Sequence, residues 1–237
     1  MARNKTALSI LPGKVNMSTR QILRPLAATT LAAALAFGVA ACGSDSKKAE
    51  NTADSSAQPV ASLTNLTGDM TEVVVDPGFL AGLTSLKLTP GVVGTAKLTD
   101  GTLSFPITGG TATYYTPGTR TPYVESSIQH DGSGISLTDG TTKVELTNFV
   151  VNAGTSMLTG DVSANGKSVV KGAPLFFLDG RTLQPLQVDK SANTGVLYGT
   201  TVSLTKAAAD LLDQTYKTNA LTEFFKVGIA RITLKLS

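Results

Sequence analysis

The chain has 237 residues, with 20 Lys and Arg against 17 Asp and Glu, one His, one Cys and no Trp. One cysteine excludes an internal disulfide framework, and with a single histidine it leaves too few ligands for a zinc site. The basic excess excludes less than its sign implies, because five of the 20 bases and none of the acids lie in residues 1–41. The remainder carries 15 bases against 17 acids and no basic run that could track a phosphate backbone, so nucleic acid is excluded as a partner.

Residues 1–41 hold Arg3, Lys5, Lys14, Arg20 and Arg24, then an uncharged Ala- and Leu-rich stretch from Leu26 to Ala41. That stretch falls short of the roughly 20 residues of a spanning helix and suits an export signal. Met17 opens a signal of more ordinary length within it. Val39-Ala40-Ala41-Cys42 has the form of a lipobox, an aliphatic residue and two small ones before the cysteine. The expectation is a signal peptide over 1–41 and acylation of Cys42. That would anchor the chain to the outer face of a bacterial cell membrane, with the membrane as its first partner.

Residues 43–66 are mostly Ser, Asp, Lys, Ala, Asn and Thr, so 42–68 is expected to be a disordered tether. A single β-rich domain is expected over 69–237. In Thr102 to Ile107 the apolar Leu103, Phe105 and Ile107 alternate, and Pro106 marks an edge strand or bulge. Lys143 to Thr147 alternates cleanly, and Asn148-Phe149-Val150-Val151 continues it with a change of face. Asp139-Gly140 and Asn165-Gly166 predict hairpins, and Asp100-Gly101, Asp131-Gly132 and Asp179-Gly180 are further turn signals. From Lys206 to Tyr216 the period turns helical, with Thr205 as N-cap and Leu211 and Leu212 facing the sheets. Leu221, Phe224 and Phe225 would extend that apolar surface as a second short helix or turn. In the last strand, Ala230, Ile232, Leu234 and Leu236 alternate with polar residues. The fold class expected is all-β, an antiparallel sandwich or partly open barrel, with one short late helix packed at an end.

Phe105 to Gly110, Ile128 to Leu137, Val144 to Phe149, Leu158 to Val162 and Leu204 to Ala209 occur in an order that resembles the HtaA-like β-rich domains of bacterial secreted and surface proteins. The likeness covers roughly residues 70–237. Some members of that family bind haem through a tyrosine with a histidine beside it, and His130 matches the histidine. The tyrosine sits in a Phe-x-x-Tyr motif near the domain's start. This chain has no tyrosine between Met70 and Leu103, so the likeness carries over to His130 alone.

His130, beside Asp131-Gly132, reads as a hydrogen-bonded turn histidine, with a ligand contact or a general base as alternatives. Tyr114, Tyr115 and Tyr123 flank the loop Thr116 to Pro122. Their rings would cover a sheet edge or meet a small molecule, a glycan or a protein. The aspartates at 76, 131, 139, 161, 179 and 189 read as turn residues, since no Asp-x-Asp-x-Asp run offers a calcium loop. No Gly-x-Ser-x-Gly elbow occurs. The expectation is thus a non-enzymatic binding or structural module with no catalytic residue, metal or cofactor. A haem-binding lipoprotein using His130 and one of the tyrosines is the alternative, and a secreted hydrolase comes third.

Overall fold

The computed structural model describes residues 57–66 and 69–236. The signal peptide, the lipobox and Cys42 lie outside the described residues. The strands run β1 Pro59–Thr64, β2 Met70–Val75, β3 Thr89–Gly94, β4 Lys97–Thr99, β5 Thr102–Pro106 and β6 Gly109–Tyr115. They continue with β7 Val124–Thr138, β8 Lys143–Asn152, β9 Met157–Ala164, β10 Lys167–Asp179, β11 Gln187–Asp189, β12 Thr194–Leu204 and β13 Lys226–Lys235. Two α-helices, α1 Pro77–Ser85 and α2 Lys206–Tyr216, interrupt them. Neither is long and apolar enough to cross a membrane.

All pairings are antiparallel, as alternating half-buried strands require. One sheet runs in the order β1-β6-β7-β8-β9-β10-β12-β13-β2-β5-β4, with β3 added to β7 and β11 to β12. It curls until β5 faces β7, yet its outer strands β1 and β4 do not pair with each other. The result is a partly open, barrel-like sheet. β5 lies between β2 and β4 and is neither an edge strand nor bulged, but Pro106 stands at its end, past the reach of short β4.

The turn signals act as their chemistry requires. Asn165-Gly166 joins β9 to β10 with both residues at positive φ, 49° and 76°, and Asp100-Gly101 joins β4 to β5 at 49° and 74°. Asp131-Gly132 does not reverse the chain. It is a bulge inside the 15-residue β7, and it belongs to a row of bulges. Opposite it β8 bulges at Asn148, with φ 53°, and β10 bulges at Gly172, with φ 61°. Side chains tie the row together. Gly132 N–H donates to Asn148 Oδ1 at 3.0 Å, Asn148 Nδ2 donates to Asp161 Oδ2 at 3.0 Å, and Gly172 N–H donates to Asp161 Oδ1 at 3.0 Å. This crease bends four strands together and lets the sheet curl over its apolar face.

Helix α2 forms as the periodicity predicts. Thr205 caps it through Ala208 N–H at 3.1 Å, Leu212 is buried, and the Tyr216 hydroxyl donates to the Leu137 carbonyl at 2.6 Å. Leu221, Phe224 and Phe225 extend the apolar surface as a turn and not as a second helix, with Phe225 N–H donating to the Thr222 carbonyl and Phe225 packed on the core. Leu221 is buried, while Phe224 is exposed at positive φ and stands edge-on to Phe177. Helix α1 is an element the sequence reading did not anticipate, although Asp76 caps it through Gly78 N–H at 2.8 Å and Pro77 opens it. It buries Phe79 and Leu83. A second correction concerns the stretch assigned to the tether. Residues 59–64 form β1, paired with β6, and Leu63 and Leu66 join the core. An edge strand buries few side chains, so its composition reads as polar.

Candidate functional site

From Val124 to His130, ahead of the bulge in β7, every second residue points inward. Val124, Ser126, Ile128 and His130 therefore share a face, and all four line a cavity of about 510 Å³ inside the curled sheet. Val73 of β2, Leu103 and Phe105 of β5, Phe149 of β8, Phe176 of β10 and Ala230 of β13 supply most of the remaining depth. The volume lies within the roughly 300–1,000 Å³ typical of small-molecule sites. Towards the mouth the lining becomes polar and more exposed, with Thr121, Tyr123, Ser156, Asp179 and Arg181.

The structure places His130 in the middle of a strand, not in a turn, and only 1% of it is exposed. Its Nδ1 lies 3.3 Å from the Phe149 carbonyl, which can only accept, so Nδ1 carries the proton. Nε2 is then an acceptor, and the Thr71 hydroxyl donates to it at 2.8 Å. Thr71 belongs to β2, so this bond is a strut across the curled sheet. The Phe105 ring stands edge-on to the imidazole, with centroids 6.3 Å apart. Burial lowers the His130 pKa to about 4, against smaller opposing effects of the Phe149 carbonyl and Asp131. The side chain is therefore neutral at physiological pH.

The three tyrosines go to three different environments. Tyr123 lines the cavity, and no described residue hydrogen-bonds its hydroxyl. Its pKa is raised by partial burial and by neighbouring Tyr114, whose ring stands edge-on with centroids 6.0 Å apart. Tyr114 lies on a small crevice beside Leu63 and Leu186, outside the main cavity. Tyr115 lies away from the cavity. Its ring is covered by the Arg120 guanidinium at 4.3 Å, and Arg120 in turn pairs with Glu125 at 2.7 Å. Asp131 and Asp161, read as turn residues from the sequence, stand inside strands at the crease, while other aspartates do turn work. Asp139 accepts from Thr141 and Thr142 N–H, and Asp189 from Ser191 and Ala192 N–H.

Sequence reasoning did not reach Thr71, Phe149, Asp179 or Arg181 as parts of a site. Phe149 is the partner of His130 on the neighbouring strand β8, whereas Thr71, on β2, meets it only because the sheet curls. Asp179 and Arg181 form a turn in which Arg181 Nε and Nη2 donate to the two Asp179 oxygens at 2.9 and 2.8 Å.

No protein-family model matches the chain, and no curated protein is similar to it in sequence. Among solved structures it is similar to the crystal structure of the C-terminal domain of HtaA from Corynebacterium glutamicum. That similarity has 15% identity and a TM-score of 0.49, and it covers 74% of this chain and 100% of that one.

Proposed function

We propose that the protein is a non-enzymatic binding module that holds an apolar small molecule inside its curled sheet, at the outer face of a bacterial membrane to which Cys42 anchors it. The observation that carries the binding part is the cavity of about 510 Å³, walled by Val73, Leu103, Phe105, Phe149 and Phe176. A space of that size in a core that otherwise packs closely would cost stability if it served packing alone. The anchor rests on Val39-Ala40-Ala41-Cys42 and the uncharged stretch before it.

Three features speak for binding rather than catalysis. His130 holds its proton too weakly to be an effective base near neutrality. Its Nδ1–H meets a carbonyl and not a carboxylate. The Ser133 hydroxyl donates to the His130 carbonyl at 3.1 Å, not to the ring.

The test is a titration of the purified full-length C42A chain, free of any acyl group, with the neutral fluorophore N-phenyl-1-naphthylamine. Saturable one-to-one enhancement is expected, and Ala153→Trp, which puts a large ring on the cavity lining where the Ala153 carbonyl accepts from Ser156 N–H, should weaken it by about tenfold or more. Enhancement that rises without saturating would end the binding reading.

Haem in the same cavity is the second reading, favoured by Tyr123 and His130 both lining it. The donor set fits it incompletely, because both His130 nitrogens are engaged and Tyr123 alone remains as an iron donor. Haemin is expected to give no stoichiometric Soret shift. A saturable shift that is lost in Tyr123→Phe would put this reading first.

A further inference from the structure

Resting on the binding reading above, we infer that the occupant of the cavity is an electrically neutral amphiphile, in chemical class a long-chain alcohol or acyl ester and not a carboxylate. The ionisable side chains on the lining are His130, Tyr123, Asp179 and Arg181. None of them offers an anion an uncompensated positive charge.

At the mouth, Asp179 and Arg181 cancel each other through two hydrogen bonds of 2.9 and 2.8 Å. They are not equally placed. The Arg181 side chain is 87% exposed and that of Asp179 is 19% exposed, so the negative partner lies on the inner side and the positive one in water. A carboxylate drawn into the mouth would approach the Asp179 charge while shedding its own hydration, and a buried charge without a partner is strongly disfavoured.

At the deep end, the Nδ1 hydrogen of His130 is spent on the Phe149 carbonyl and the Thr71 hydroxyl hydrogen is spent on Nε2. The pair therefore has no hydrogen left to donate to a carboxylate oxygen. The Tyr123 hydroxyl can both donate and accept, and it meets a ligand hydroxyl or ester carbonyl without any change of charge. The apolar wall between the two ends suits an alkyl chain.

The experiment displaces N-phenyl-1-naphthylamine from the full-length C42A chain with 1-decanol and with decanoate, at about pH 8 where the carboxylate is fully ionised. Decanol is expected to displace the probe at a concentration about tenfold lower or less. Asp179→Asn keeps an oxygen for the turn but frees the guanidinium, so it should improve decanoate about tenfold and leave decanol within about twofold. Decanoate equal to or better than decanol on the unmodified mouth would overturn the inference and leave the binding module standing, as would displacement by neither compound. Absence of any saturable probe binding would overturn both.

Discussion

A histidine sealed in an apolar wall keeps its neutral form, and His130 turns that into a pH dependence of stability. In the unfolded chain it titrates near 6.5, while in the folded chain burial holds it at about 4. Between those values the unfolded state binds a proton that the folded state refuses. Its contribution is therefore complete above about pH 6.5, falls away as pH drops towards about 4, and is level below that. The span corresponds to at most about 3 kcal/mol, or roughly 6–12 °C in Tm for a chain of this size. Melting curves from pH 7.5 to 4.5 should show a steeper loss for the native protein than for His130→Gln. The exposed carboxylates contribute equally to both and cancel. Parallel slopes would mean that the folded protein accepts the proton.

At the scale of elements, the crease across β7, β8, β9 and β10 depends on one side chain more than any other. Asn148 holds a left-handed backbone at φ 53° and joins Gly132 on one side to Asp161 on the other. Asparagine tolerates that conformation better than most residues, and its amide both accepts and donates. Close packing beside the crease allows little drift, since a Cβ on Gly134 would stand 2.1 Å from the Leu146 carbonyl oxygen. Asn148→Ala loses both bonds and strains the backbone, which should cost about 1–3 kcal/mol in chemical denaturation. Asn148→Gly relieves the strain but not the lost bonds, so it should recover part of that cost. Equal losses would show that the backbone conformation contributes nothing.

For the whole molecule, the curl matters more than any single strand. It brings Thr71 of β2 to His130 of β7 and closes an apolar cavity between them. Strand β1 extends one edge of the sheet and contributes Leu63 to the core, with Leu66 following it. A chain beginning at Met70 should therefore melt well below one beginning at Thr52, by about 5 °C or more, given that each buried leucine contributes about 1.5–3 kcal/mol. Identical melting would show that β1 only rests on β6. The anchor has its own test at this scale. Cys42→Ala should shift the protein from the membrane to the soluble fraction after a high-salt wash, because salt removes weak surface attraction but not an acyl chain. Retention of the variant in the membrane would exclude Cys42 as the main anchor.

What was legible in the sequence alone was whatever is decided within a few residues. Alternation in Lys143 to Thr147 and Ala230 to Leu236, the two-residue hairpin at Asn165-Gly166 and the Thr205 cap of α2 all depend on local sterics and hydrogen bonding. They hold in the structure. The Asp76-Pro77 start of α1 was equally local, and its short length hid it among strands. The site was not legible in the same way. Asp131-Gly132 has the chemistry of a turn, and only pairing with Asn148 on the next strand makes it a bulge. That pairing keeps His130 inside a strand, in step with Ile128, facing inward. The partners of His130, Thr71 and Phe149, come from strands 59 and 19 residues away in the chain. The meeting of His130 with Thr71 and the cavity follow from curling the sheet, which local periodicity leaves undetermined because a flat and a curled strand alternate alike, whereas Phe149 arrives by strand pairing and Asp179 masks Arg181 within a local turn.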